Sequence, residues 1–478
     1  MVIFAFALWA LFLNLIYKCL KKFRSNRLPG PSTISILRHA TAKYSHLTLS
    51  KWAQTYGDIF QIKLGPIRIV VLSDGKLIQE VFDESEYVGR ADKKNLQLAR
   101  PYGMASQGAV PKEQRTFTVR YLSQPSMESF IQEEISEFLT WMSSHEGQMV
   151  EMNQRLTLAI VNTLWKILSG KRYPQDDDRI LRVLDKENKL NESLSRNPLL
   201  LYPPLAELFP RITGWHDVIT LAEDIRDDYE QIILECEIDD VKSEHPSFIV
   251  EYLREIENSS DPECDFYKDA GKNSLVTTLA DLFNEGLTTI PVTLSWAVFY
   301  ISKFIDVQLK LQEELDKVVP RNRRPCLADR SKLPLPYLEA TIMETLRITS
   351  SVSTGAMHKT LADMKVRDYE IQTGTWIIAN VYHVHHDPNA WQDPDIFLPE
   401  RFINLESGSV NSTNFSTGEK TCLGETIAKD EIFLFLSNIY QTFNTVLDEN
   451  ESAGVTCHHK PEIVLQPSDF NVLLTRRT

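Results

Sequence analysis

The sequence has no pair of cysteines at C-x-x-C spacing, no internal repeat and no low-complexity linker. Its six cysteines (19, 236, 264, 326, 422 and 457) are scattered over 478 residues, a pattern that suits neither a disulfide framework nor a structural zinc site. A reduced body facing the cytoplasm is the expectation. Positive charge is also scarce: 51 Lys and Arg stand against 65 Asp and Glu, a formal net charge of -14. Nucleic acid binds through cationic surface, so it is excluded as a partner. The acids are dispersed rather than gathered into a tail, which serves solubility. Missing too is any charge ahead of the first apolar run.

That run is the first positive feature. Val2 to Tyr17 is apolar apart from Asn14, and Lys18, Lys21, Lys22, Arg24 and Arg27 follow at once. With Cys19 and Leu20 counted, it reaches the roughly 20 residues that span a bilayer. A cleaved signal peptide carries its positive charge before the apolar run and small residues after it. Here the order is reversed. Residues 1–20 therefore read as a retained transmembrane anchor, with everything after Lys18 on the cytoplasmic side. On that topology the N-x-S/T sequons at Asn191, Asn258, Asn411, Asn414 and Asn450 carry no sugar. Residues 21–33 read as a basic, Pro-rich linker, closed by Leu28-Pro29-Gly30-Pro31, where proline and glycine stop any helix.

With 43% hydrophobic and 24% charged residues, the rest has the composition of a globular domain with a sizeable core. Ile59 to Leu72 predicts a β-hairpin broken at Gly65-Pro66. Helical patterns dominate from Met127 to Lys317, interrupted by the Pro-rich stretch from Asn197 to Pro210. Tyr337 to Arg347 predicts a further helix, and β-prone runs continue to Ile378. An apolar helix is expected from Gly424 to Phe443, and a second hairpin around Gln466-Pro467 from Ile463 to Thr475. The simplest architecture is one large, mostly α domain with small β-sheets over residues 34–478.

The strongest chemical signal is FSTGEKTCLGE, Phe415 to Glu425. A lone cysteine is usually a small buried hydrophobe. Here Gly418 permits a tight turn before Cys422, and Gly424 permits a close approach just after it. The helix beginning beyond Cys422 points its N–H groups at the sulfur, which favours a thiolate. Glu344-Thr345-Leu346-Arg347 puts two opposite charges on one helix face, and Pro399-Glu400-Arg401-Phe402 follows. Between them lies an HxHH string, His383, His385 and His386, which alone would raise the question of a metal site.

In this order the segments resemble the cytochrome P450 family, animal microsomal type, from about Leu28 to Thr475. The resemblance implies the P450 fold and a haem b whose iron is held by Cys422, with Phe415, Gly418 and Gly424 shaping the loop. It makes Glu344, Arg347 and Arg401 a structural triad and the three histidines structural as well. Arg90, Arg115, His358 and Lys420 become the partners of the haem propionates. Two departures weaken that set: Lys420 stands in place of an arginine, losing the bidentate fork, and Pro111 stands in place of a tryptophan.

The stretch Asn284-Glu285-Gly286-Leu287-Thr288-Thr289 resembles the family's distal [A/G]-G-x-[D/E]-T. The resemblance gives Gly286 the task of leaving room for dioxygen and Thr289 that of hydrogen-bonding it. Thr288 replaces the expected acid, while Glu285 stands where alanine is usual. Glu285 lies one turn from Thr289 on the same face, so it is the candidate proton source, with burial expected to raise its pKa. The resemblance further implies NADPH electrons through a membrane-bound P450 reductase, cytochrome b5 as a second partner, and location at the endoplasmic reticulum membrane. The implied reaction is monooxygenation of a lipophilic sterol, fatty acid or xenobiotic. The missing acid keeps two alternatives open: an isomerase or dehydratase of an oxygenated lipid, and a non-catalytic haem-binding membrane protein.

Overall fold

The computed structural model describes residues 28–39, 45–64, 67–84, 88–90, 112–173, 178–196, 206, 208–239, 246–332, 335–403, 414–418, 421–448 and 464–477. The expected anchor, Pro111 and Lys420 lie outside the described residues. From the amino end, α1 (Thr33–His39) and α2 (Ser45–Tyr56) lead into β1 (Ile59–Leu64), β2 (Ile67–Leu72), α3 (Gly75–Asp83) and β3 (Val88–Arg90). Helices then dominate: α4 (Lys112–Leu122), α5 (Ser126–Ser144), α6 (Asn153–Ser169), α7 (Asp178–Arg196), α8 (Trp215–Asp239) and α9 (Phe248–Asn258), with the short β4 (Met149–Glu151) after α5. The 36-residue α10 (Lys268–Lys303) follows, then α11 (Ile305–Val318), α12 (Leu327–Lys332) and α13 (Pro336–Thr349). The remainder holds β5 (His358–Thr360), β6 (Met364–Val366), β7 (Tyr369–Ile371), β8 (Trp376–Ala379) and α14 (Val381–His386). A 3₁₀ turn at Pro399–Phe402, α15 (Glu425–Thr442), β9 (Phe443–Leu447) and β10 (Asn471–Arg476) complete it.

These elements form two compact units. The first comprises residues 1–91, 354–383 and 417–420. Its five-stranded sheet has the order β1-β2-β8-β5-β3, and the hairpin expected at Ile59 to Leu72 forms in register, Ile59 against Leu72. Strand β8, Trp-Ile-Ile-Ala, is buried along its whole length, as a strand flanked on both sides must be. It runs parallel to β2. Asp74 caps α3 by accepting the Leu77 N–H at 2.8 Å, which satisfies a donor that the first turn leaves open. The core of this unit gathers Ile36, Leu49, Phe60, Val71 and Ile378.

The second unit comprises residues 92–353, 384–416 and 421–478 and is mainly helical. Helix α10 is its central element, packing on α6, α15 and α13. Most of α10 is buried, including Phe283, Leu287, Leu294 and Trp296. The hairpin expected in the tail does not form. Strand β10 pairs with β9 and β4, and Val464 makes a lone bridge to Val352. The alternation of Val472 and Leu474, both buried, is correct for a strand, but two long-range partners outcompete the local one.

One carboxylate organises the chain leading toward Cys422. Glu344 and Arg347 of α13 are 0% and 1% exposed. Arg347 forks onto Glu344, Nε to Oε2 at 2.7 Å and Nη2 to Oε1 at 2.9 Å, while its Nη1 donates to the His385 carbonyl at 2.7 Å. Arg401 donates Nε to Glu344 Oε1 at 3.1 Å, and its Nη groups hold the carbonyls of Gln392, Asp393 and Ile396. The Leu398 N–H adds a donor to the same Oε1 at 2.9 Å. Both oxygens of Glu344 are engaged, Oε1 by three donors and Oε2 by one, the kind of pairing under which a buried ion network is tolerated.

Glu431 of α15 is the opposite case. It is fully buried, and neither carboxylate oxygen has a hydrogen-bond partner among the described residues. The Thr163 hydroxyl lies close by but donates to the Ala159 carbonyl; its proximity lowers the Glu431 pKa, but burial dominates and pushes it from 4.5 up to about 8. The folded chain thus keeps a proton that the unfolded chain has already released, so stability falls as pH rises between those values. Thermal melts across that range should show wild type losing stability while Glu431→Gln stays nearly flat. The variant should melt higher than wild type at the alkaline end; parallel curves would mean that Glu431 is already ionised in the fold.

Candidate active site

The cysteine loop is built in the second unit just before α15. The Cys422 N–H donates to the Phe415 carbonyl at 2.9 Å, closing the loop on itself. Phe415 in turn lies under the Lys429 ammonium, 5.0 Å from its ring centre. Cys422 is a free thiol, open to solvent on one side. Two groups favour its charged form, the Gly424 N–H at the sulfur and the Arg115 guanidinium. Burial by the surrounding protein outweighs both, and the Glu285 and Glu425 carboxylates add repulsion, so the thiol sits above its ordinary range. The Gly424 N–H and Arg115 together do not offset the burial of this sulfur. A bound cation or metal does so outright.

Neighbouring residues fit a flat prosthetic group at this sulfur. A Cβ added at Gly424 would meet only Ile427 Cγ2 at 3.7 Å. Nothing in the chain itself requires glycine there, and its absence of side chain keeps the ground beside the sulfur clear. Arg115 of α4 is steered to the loop by donating Nη2 to the Thr421 carbonyl at 2.5 Å. In the first unit Gly418 has φ 72°, and a Cβ there would lie 2.5 Å from the Phe82 carbonyl oxygen. Only glycine suits such a turn.

Helix α10 carries the other candidates. Thr288 and Thr289 donate their hydroxyls to the carbonyls of Asn284 and Glu285, each at 2.9 Å. Pro291, two residues on, has no N–H for the Leu287 carbonyl. Both features loosen the helix ladder over this turn. Glu285 is exposed, so the protein's own atoms do not supply the burial expected for it. Among the described residues no cation and no hydrogen-bond donor meets its carboxylate. Its charge nonetheless reaches Cys422, as the repulsion on that thiol records.

Gly286 meets a packing demand in addition to the role expected of it. A Cβ on it would come within 2.9 Å of Leu164 Cδ1 and Cδ2 on α6. The glycine lets α10 and α6 approach closely at this point. Two features went unread in the sequence. Asn191 of α7 donates Nδ2 to Asn284 Oδ1 at 2.7 Å, a pairing of residues 93 apart that carries no local signal. Pro291 was visible as a breaker inside a helical pattern.

The remaining candidates lie in the first unit or divide between units. His358 and Arg90 are direct cross-strand partners in β5 and β3. The His358 ring stacks on Phe82 at 4.1 Å and its Nδ1 is bonded to the Ala356 carbonyl at 2.9 Å. The HxHH histidines turn to separate tasks: His383 Nδ1 pairs with Ser50 Oγ at 2.9 Å and the buried His385 with Ser350 Oγ at 2.9 Å. Among the described residues no group of three His, Cys, Asp or Glu could hold a metal ion.

Comparison with known proteins agrees with this geometry. The family model for cytochrome P450 matches residues 26–474. Farnesoate epoxidase of Bombyx mori is 29% identical over 447 residues, covering 88% of each chain. Cytochrome P450 18a1 of Drosophila melanogaster is 30% identical, over 94% of this chain and 87% of that one. Steroid 17-alpha-hydroxylase/17,20 lyase of Ictalurus punctatus is 28% identical over 91% and 87%. Among solved structures, a zebrafish cytochrome P450 with abiraterone superposes with a TM-score of 0.77 at 23% identity, over 91% of this chain and 99% of that one. An accessible cysteine in a glycine-framed loop, a buried Glu-Arg-Arg network and a family match across nearly the whole sequence have one reading: this chain belongs to the cytochrome P450 family of haem-thiolate monooxygenases.

Proposed function

We propose that the protein is an NADPH-dependent monooxygenase that inserts one oxygen atom of O2 into a lipophilic small molecule, with electrons passed from a membrane-bound reductase. The observation that carries this reading is the Cys422 thiol, open on one side, with the Gly424 N–H at its sulfur and Arg115 beside it. In the proposal Cys422 holds the iron of haem b, and Arg90, Arg115, His358 and Lys420 pair with its propionates. The bound haem supplies oxygen chemistry, made stronger by the electron density a thiolate donates. The chain's own residues do the rest. Thr289 presents a hydroxyl oxygen whose proton is engaged by the Glu285 carbonyl. Glu285, one turn away, takes protons from water and hands them toward Thr289, in place of the acid that Thr288 displaces.

Reduced protein under carbon monoxide should show the red-shifted Soret band of a thiolate ligand, and Cys422→Ala should abolish it. A variant that keeps the band would assign the iron to another residue.

Proton handling is tested with a neutral substrate. A positioned acid contributes about 10² to 10⁴ in rate, so Glu285→Gln should form much less product per NADPH consumed while binding that substrate no more weakly. An unchanged yield would leave water as the sole proton source.

For localisation, the proposal is attachment to the endoplasmic reticulum through residues 1–20, the body facing the cytoplasm. Among the described residues no single helix is long and apolar enough to cross a membrane. Removal of residues 1–27 should release much of the protein from membranes. Some peripheral contact should remain through Leu208, Phe209 and Ile212, which are 69%, 45% and 79% exposed. Complete sedimentation of the truncated chain would place the anchor elsewhere.

A further inference from the structure

Arg115 can be no better placed than the helix that carries it. It lies in the first turn of α4, where backbone N–H groups lack partners in their own helix and the end frays unless something outside holds it. The loop at residues 259–267, which leads directly into α10, supplies that hold. Glu113 Oε2 accepts the Asp265 N–H at 3.2 Å and the Cys264 S–H at 3.0 Å. Gln114, 1% exposed, donates Nε2 to the Asp265 carbonyl at 3.4 Å. Burial, and then repulsion from the Glu113 side chain, raise the Asp265 carboxyl above its ordinary range; the Glu113 N–H, bonding to it, acts the other way. Side chain meets backbone in both directions, the logic of a capping box made between residues 152 apart.

The loop is itself fixed. The Cys264 and Tyr267 N–H groups close successive turns onto the Asp261 and Cys264 carbonyls at 3.1 and 3.0 Å. Phe266 is buried, its ring centre 5.6 Å from that of Phe117 on α4 and 4.8 Å from that of Tyr252 on α9. These ring contacts hold the middle of α4, and the bonds at Glu113 and Gln114 hold its first turn. Two residues beyond Glu113, Arg115 reaches the Thr421 carbonyl at 2.5 Å, beside Cys422. A planar guanidinium fork tolerates little misplacement, so a frayed first turn would withdraw it.

We propose that Glu113 is a positioning residue for the haem: by clasping the loop at Cys264 and Asp265 it holds the first turn of α4 in place, so that Arg115 stands against the cysteine loop and can meet a propionate. The inference rests on the haem-thiolate reading above and adds to it a residue that acts through Arg115 rather than on the haem.

The test is a double-mutant cycle on full-length haem-loaded protein, read as the rate of haem transfer to apomyoglobin. Glu113→Ala should speed haem loss about fivefold, the scale of one net hydrogen bond. In an Arg115→Ala background, where the arm it positions is gone, the same change should add less than about twofold. Glu113→Gln keeps an acceptor for the loop's donors and should return the rate toward wild type. Cys264→Ala removes one donor and should show a smaller rise of the same kind; it carries the cycle should Glu113→Ala fold poorly. Hydrogen exchange should also show faster opening at residues 113–116 in Glu113→Ala. A rise of equal size in both backgrounds overturns the proposal, because the clasp would then support the fold without passing through Arg115. An unchanged rate of haem loss overturns it too, as does unchanged exchange at residues 113–116. The carbon monoxide spectrum of the same preparations reports thiolate ligation separately, so a failed clasp and a failed haem-thiolate reading are told apart.

Discussion

Glu344 is a carboxylate held entirely out of water, and the chain that leads toward Cys422 depends on how that is made tolerable. Desolvating such a group costs several kcal/mol unless its oxygens are fully engaged. One two-bond fork from Arg347, one bond from Arg401 and the Leu398 N–H supply the donors. The two arginines then spend their remaining donors on carbonyls at His385, Gln392, Asp393 and Ile396. A long stretch without regular structure is thereby fixed by side chains, because its carbonyls have no strand or helix to bond. The network does not act as a surface ion pair, which is worth little. Its value is positional: removing any member leaves a buried charge uncompensated.

Against that rigid backing, the electrostatics of the cysteine are balanced the other way. Gly424 and Arg115 favour a thiolate, whereas burial, Glu285 and Glu425 oppose it, and the opposition prevails in the chain alone. A positive group at the sulfur would shift that balance toward the thiolate. Glu285 shares the logic. Placed where the family has alanine, it adds negative charge opposite a sulfur that becomes negative on ligation. Such an arrangement is stable only where solvent or a ligand supplies compensation. Thr288 and Thr289 commit their hydroxyl protons to the helix backbone, and Pro291 removes a further ladder bond. This turn of α10 is consequently less tightly bonded than the apolar turns that bury Leu294 and Trp296.

Legibility differed with the range over which each signal acts. The first hairpin was readable because its register is local, two apolar runs joined by Gly65-Pro66. The tail strand was equally readable as a strand, from Val472 and Leu474, yet its partner was not. Pairing with β9 and β4 depends on where α5 and α15 deliver those strands. The cysteine loop was legible through glycine, since a φ of 72° at Gly418 is a demand of backbone geometry. Gly286 carried a weaker signal: a helical glycine marks close approach without saying which neighbour approaches. That neighbour is Leu164 of α6.

The sequence by itself determined the covalent facts and the local ones: a cysteine between two glycines, a Glu and Arg on one helix face, an acid at 285 and none at 288, long helices and short strands. Those follow from residue chemistry and from periodicities that act over a few residues. Tertiary structure alone decided which oxygen each arginine meets, that Glu431 is buried without a hydrogen-bond partner among the described residues, that Asn191 reaches Asn284, and that the Glu285 charge is felt at Cys422. Burial and charge proximity are properties of distance in space. Groups brought together from 137 residues apart in the chain, such as Glu285 and Cys422 (422 − 285), acquire their energies only when the helices between them have packed.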